Sequence, residues 1–122
     1  MAQALATTAP EAVLTKAALR AAKRLKLTNR ELAAMLGVGQ ATVSRAGAGR
    51  PLPGEGKALE LAALFVRLYR SLDAIVGGDD ATAAAWLRAD NTALGRPPAE
   101  AIATIGGLAD TLAYLDARRA LV

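Results

Sequence analysis

The side chains best suited to specific hydrogen bonding lie close together, between Gln40 and Arg45. They offer an amide, two hydroxyls and a guanidinium, and Val43 stands among them. If Val43 faces inward on a helix, its neighbours point outward. Amide and guanidinium groups can pair with base edges in the major groove, hydroxyls with the phosphate backbone, and a small alanine with a thymine methyl. The candidate contacts to duplex DNA are Gln40, Ala41, Thr42, Ser44 and Arg45, with Asn29 as a candidate phosphate contact.

The same sequence offers little for catalysis. It contains no histidine and no cysteine, so the commonest general base, the commonest metal ligand and every thiolate site are missing. Its acidic residues form no pair on a predicted cleft that could act as nucleophile and base. We therefore expect no enzyme, with no catalytic residue, no metal site and no cofactor.

The charge is divided unevenly along the chain. Residues 1–57 contain nine basic and three acidic residues, for a net charge of +6, whereas residues 58–122 contain six and eight, for −2. A basic half suggests a polyanion as partner, and the acidic half suggests a different role. No apolar run reaches the roughly 18 residues of a membrane span, and the first ten residues lack the pattern of a signal peptide. We expect a soluble, cytoplasmic protein without a membrane partner.

The pattern of apolar and capping residues in the elements that position these side chains predicts an all-α protein. Residues 1–10 are expected to form a loose tail, followed by an amphipathic helix over residues 11–25 with a basic outer face. Thr28 and Glu31 form a capping box at the start of a second, short helix. Gly37 ends that helix, and a third begins at once near Gln40, which is the arrangement of a helix-turn-helix.

The segment GAGRPLPGEG, residues 47–56, predicts a connector, so we place one region at 11–56 and another at 57–122. The second region opens with a helix over 57–76 whose apolar surface is wide enough to suggest burial against a second copy. The predicted dimer contacts are Leu61, Phe65, Leu68 and Leu72.

Further along, Asp79 and Asp80 can cap a helix that carries Trp86 as a core anchor. We expect Asn91 to end that helix in a left-handed turn and Gly95 to make another tight turn. Another helix is expected to start at Pro98. The pair Gly106-Gly107 is expected to separate it from a last helix at 108–120.

Two stretches resemble known families. LAAMLGVGQATVSR resembles the Xre/Cro-type helix-turn-helix, whose usual run is close to LAxxLGVSxxTVSR. Two departures stand out, because Gly39 replaces the usual serine cap of the recognition helix and Ala46 replaces a bulky residue that normally anchors it. Both changes are expected to loosen that helix and to make DNA binding modest without dimerisation.

The second stretch, AAAWLRADNTALGRPPAEAIAT at residues 83–104, resembles the toxin-binding domain of the Xre/MbcA/ParS antitoxins. The resemblance implies a small helical toxin-binding domain and a type II antitoxin. Such an antitoxin binds a RES-domain toxin that destroys NAD, covers the toxin's cleft with its carboxy-terminal region and represses its own operon. The toxin contacts that it implies here are Tyr114, Arg118, Arg119, Leu121 and Val122.

A second hypothesis gives the C-terminal half a different role. The chain is also compatible with a stand-alone dimeric Xre-type transcriptional repressor, whose second half serves only to form the dimer. A toxin gene next to its own, or co-purification with a toxin, would distinguish the two hypotheses.

Overall fold

The computed structural model describes residues 9–53 and 56–121. The described residues form seven α-helices and no strand, which confirms the predicted all-α fold. The helices are α1 Pro10–Arg24, α2 Asn29–Leu36, α3 Gln40–Gly47, α4 Lys57–Ile75, α5 Asp80–Arg88, α6 Pro98–Ala101 and α7 Ile105–Arg119. Residues 1–8 of the predicted tail lie outside the described residues, and Pro10 begins α1 instead of ending the tail. No helix in the described part of the chain combines the length and the hydropathy needed to cross a bilayer.

The helix-turn-helix forms through short-range interactions that the sequence predicts. The Thr28 hydroxyl accepts the Glu31 amide at 3.0 Å, while the Glu31 carboxylate accepts the Thr28 amide at 2.9 Å. Gly37 ends α2 with φ +70°, a left-handed conformation that glycine adopts without strain. Gly39 has an extended conformation and is the N-cap residue just before α3, where it provides no side-chain cap.

Helix α4 is the centre of the fold. It packs against α1, α2, α5 and α7, so that a single hydrophobic core extends across both predicted regions. The connector is fastened to this core as well, because Leu52 is buried and its amide donates to the Thr15 hydroxyl at 2.9 Å. The connector at 47–56 therefore joins two parts of one core.

This packing corrects the predicted dimer contacts. Each of the four side chains is at most 6% exposed within a single chain, because α1 and α7 cover α4. The wide apolar surface of α4 is thus used by the chain's own helices and requires no second copy. The four residues are core residues: Leu61, Phe65, Leu68 and Leu72.

Two local predictions in the C-terminal region are wrong. Asn91 has no positive φ; its side-chain oxygen instead accepts the Leu94 amide at 3.1 Å, and Gly95 provides the left-handed residue at φ +77°. Gly106 and Gly107 do not separate two helices, because α7 already begins at Ile105 and contains both. The break comes earlier, after the four-residue α6.

The reason for a glycine at position 107 is a close approach between segments. A Cβ atom at Gly107 would lie 1.8 Å from the carbonyl oxygen of Ala101. The Thr104 hydroxyl caps α7 by accepting the Gly107 amide at 3.1 Å. Gly107 therefore lets α7 start tightly against the end of α6, whereas a Cβ at Gly106 would meet nothing within 4 Å.

Candidate functional site

Helix α3 presents the hydrogen-bonding surface that the sequence predicts. Val43 and Ala46 face inward and are 2% and 6% exposed. The guanidinium of Arg45 donates to the Thr42 hydroxyl at 3.3 Å, which orients it along the outer face. The remaining candidate contacts are exposed on the same helix, Thr42 only partly: Gln40, Ala41, Thr42, Ser44 and Arg45. Asn29 is exposed as the first residue of α2.

The start of α3 is open to an acceptor from outside. Gly39 provides no side-chain oxygen to cap it, so the first amides of the helix are left for solvent or a ligand. Free amides and the positive end of the helix dipole favour a phosphate at such a position. The missing serine cap therefore leaves a surface that suits a phosphate backbone.

Basic side chains of α1 flank the other end of α3. Arg20 and Lys23 lie around a surface depression that also includes Gly47 at the end of α3. Arg24 is engaged differently, because its guanidinium donates to the Tyr69 hydroxyl of α4 at 3.1 Å. This hydrogen bond is the main cause of a raised pKa of Arg24. Lys16, Arg20 and Lys23 are exposed and form no salt bridge within the described residues.

An ion pair that the sequence did not reveal joins the two regions. Arg88 of α5 donates to both carboxylate oxygens of Glu31, with Nη2 at 2.8 Å from Oε1, and to the carbonyl oxygen of Lys26 at 3.0 Å. The Arg88 guanidinium is the main cause that holds the pKa of Glu31 at about 2, below its usual 4.5, although burial of the carboxylate opposes the shift. The acid of the capping box is therefore held from the C-terminal region.

Two aromatic residues and an arginine form a surface on the C-terminal region. The rings of Trp86 and Tyr114 are stacked with centroids 6.1 Å apart and an interplanar angle of 10°. The guanidinium carbon of Arg118 lies 5.6 Å from the centroid of Tyr114, within the range of a cation–π contact. We call Trp86, Tyr114 and Arg118 the aromatic surface. Trp86 is partly exposed and belongs to it, so its predicted role as a core anchor was incomplete.

Arg119 lies on a different surface from Arg118. It lines a groove between α1, α4 and α7, of about 1180 Å³, together with Arg67 and Arg70. Next to it, Asp116 accepts from Arg67 at 2.7 Å and from the Ser71 hydroxyl at 2.8 Å. Adjacent arginines on a helix point in different directions, and here they reach different surfaces. Arg118 and Arg119, both predicted as toxin contacts, therefore lie on different surfaces.

The remaining candidate toxin contacts lie at the end of the chain. Leu121 is 84% exposed, and Val122 lies outside the described residues. Within residues 9–53 and 56–121, no three acidic side chains come close enough together to hold a metal ion.

Two family models match the sequence. The model of the antitoxin Xre-like helix-turn-helix domain matches residues 4–67, which include α1 to α3 and the exposed face of α3. The model of the antitoxin Xre/MbcA/ParS C-terminal toxin-binding domain matches residues 71–120, which include the aromatic surface and Arg119. The two matched ranges meet within α4, beyond the predicted boundary at 56. No curated protein matches the sequence.

Proposed function

The chain belongs to the antitoxin Xre-like helix-turn-helix family, and we propose that it neutralises a RES-domain toxin that degrades NAD and represses the operon that encodes the pair. The family model covers just over half of the chain, and the toxin-binding domain follows it in the expected order. The observation that carries the proposal is the presence, on one core, of an exposed hydrogen-bonding face on α3 and a separate aromatic surface on α5 and α7.

The proposed DNA contacts follow from the chemistry of α3. Gln40 is suited to an adenine edge, and Arg45, oriented by Thr42, to a guanine edge or a phosphate. Thr42 and Ser44 are backbone contacts, Ala41 meets a thymine methyl, and Asn29 binds a phosphate at the start of α2. One helix with a single long cation reads few base pairs, so we propose that the operator is bound by a homodimer.

The proposed toxin contact is centred on the aromatic surface. Tryptophan, tyrosine and arginine are the residues that most often dominate the free energy of protein–protein binding. Tyr114 is stacked on Trp86, and Arg118 lies over the Tyr114 ring, so little side-chain freedom is lost when a partner covers them. A guanidinium presented in this way is suited to the position that a phosphate of NAD would take in the toxin's cleft. Leu121, which is exposed after α7, is a further proposed contact, whereas Arg119 lines the separate groove and Val122 lies outside the described residues.

Both proposed partners are cytoplasmic, and we propose that the protein acts there. The test is co-expression with the product of the gene next to its own, followed by purification through one partner. We expect a stable complex, and we expect the purified chain to suppress NAD consumption by that partner. If no protein co-purifies while operator DNA is still bound, the chain is a stand-alone repressor.

A further inference from the structure

A cavity of about 330 Å³ lies between α1 and the end of α3. The short side chain of Ala46 is buried and lines this space, and Gly47 lines it without a side chain. The volume lies at the lower end of the roughly 300–1,000 Å³ that is typical of small-molecule sites.

The walls of this cavity are fixed by a buried polar contact. Thr15, which is 3% exposed, donates to the Glu11 carbonyl at 2.6 Å and accepts the Leu52 amide at 2.9 Å. These bonds hold the segment that contains Pro51 against α1. The Pro51 wall is therefore in place without a ligand. The Thr15 hydroxyl already donates one hydrogen bond and accepts another, so we expect no hydrogen bond from it to a ligand.

The lining combines an apolar interior with two cations. Ala12, Leu19, Ala46 and Pro51 supply apolar wall, and Lys16 and Arg20 line the cavity from α1. Because they are four residues apart, the two cations lie on the same face of the helix. Both are exposed, neither forms a salt bridge within residues 9–53 and 56–121, and no acidic side chain lines the cavity.

We propose that this cavity binds a small apolar carboxylate. Its hydrocarbon part lies against the apolar wall beside Ala46, and its carboxylate lies between Lys16 and Arg20. A neutral apolar ligand would form no ion pair with Lys16 or Arg20. A highly charged ligand would leave the apolar wall exposed to water. A ligand in this position contacts both α1 and the end of α3, and so tightens the recognition helix against α1. Ligand binding at this site depends on neither the proposed toxin nor the proposed operator.

The experiment titrates the full-length chain with octanoate and with octanamide, its uncharged counterpart of equal length, by calorimetry at neutral pH. We expect saturable binding of one octanoate per chain. We expect octanamide to bind roughly 3- to 10-fold more weakly, because each exposed ion pair contributes only modestly. The absence of saturable octanoate binding, or equal affinity for the two compounds, would overturn the proposal.

Two variants, each with a matched control variant, locate the site. Lys16→Gln with Arg20→Gln should reduce octanoate binding to the octanamide level, whereas Lys23→Gln with Arg30→Gln removes the same charge away from the cavity and should not. Ala46→Leu fills the cavity and should weaken both compounds about tenfold or more, while Ala48→Leu, at an exposed position, should not. Unchanged octanoate binding in the Ala46→Leu protein would place the ligand elsewhere. Should that variant fail to fold, the paired charge variants decide the question.

Discussion

Arg88 holds Glu31 and the Lys26 carbonyl through one guanidinium, although 57 and 62 residues separate it from them in the sequence. Lys26 has φ +58°, a left-handed conformation that is uncommon for a residue other than glycine. Glu31 in turn accepts the Thr28 amide at the cap of α2. The C-terminal region therefore holds the turn that precedes the first helix of the helix-turn-helix.

Replacing Arg88 by methionine should test this connection, since methionine keeps an apolar stem and removes all three hydrogen bonds. We expect the free energy of unfolding to fall by about 1–2 kcal/mol at pH 7, a modest value because the guanidinium is partly exposed. Urea denaturation followed by circular dichroism measures the change. Arg96→Met is the control, because Arg96 is exposed and forms no salt bridge in the described part of the chain. Equal losses in the two variants would show that the ion pair contributes nothing.

The same ion pair predicts how stability depends on acid. The pKa of Glu31 is about 2 in the folded protein against an ordinary value of 4.5, so ionised Glu31 stabilises the fold above that ordinary value. This contribution is lost as the pH falls from about 4.5 towards 2. The difference in unfolding free energy between the parent and Arg88→Met should therefore be full at pH 7 and much smaller at pH 2.5. A difference that stays constant over this range would contradict the assignment.

The features that could be predicted from the sequence are local ones. The capping box joins Thr28 and Glu31, which are three residues apart, and Gly37 ends the same helix in a left-handed conformation. Interactions of this range depend on residue type and spacing alone. The exposed face of α3 follows in the same way, because one inward Val43 fixes the direction of its neighbours.

The features that could not be predicted depend on contacts between distant segments. Apolar periodicity showed that Phe65 is buried, but it could not show that α1 and α7, and not a second copy, cover it. Nor could a local pattern reveal that Gly107 faces the Ala101 carbonyl, so the residue type alone predicts a helix break there. The pairing of Arg88 with Glu31 has the same origin. In each case the residue type is compatible with several partners, and only the packing selects one.

Alanine substitutions at the two adjacent glycines of α7 should have opposite effects. Gly107→Ala places a Cβ against the Ala101 carbonyl oxygen and should destabilise the protein by about 1–3 kcal/mol through overpacking. Gly106→Ala meets no neighbour within 4 Å and should stabilise it by about 0.5–1 kcal/mol through helix propensity. Urea denaturation of both variants measures the change in unfolding free energy, and each variant serves as the control for the other because the two positions are adjacent. If both stabilise the protein, the segment after α6 moves more freely than the packing indicates.

Arg45→Ala should weaken binding to DNA from upstream of the protein's own gene by about 1–3 kcal/mol. The side chain is exposed, and within the described residues it donates one hydrogen bond, to Thr42, so its removal should leave the unfolding free energy nearly unchanged. Fluorescence anisotropy with the upstream duplex measures affinity, and Arg96→Ala provides a control that removes a cation outside the helix-turn-helix. Undiminished affinity in the Arg45→Ala protein would show that α3 does not read the operator.

The separation of Arg118 from Arg119 allows an inhibition assay to test which surface contacts the proposed toxin. Arg118→Ala removes the cation that lies over Tyr114, whereas Arg119→Ala removes one that lines the groove between α1, α4 and α7. Both residues are exposed near the end of α7, so neither change should unfold the chain. If the aromatic surface is the contact, Arg118→Ala should require about tenfold more protein to suppress NAD consumption, because buried interface arginines often contribute more than about 1 kcal/mol. Arg119→Ala, which removes the same charge one residue away, should inhibit nearly as well as the parent. The reverse order would assign the contact to the groove, and full inhibition by both variants would exclude the two arginines from it.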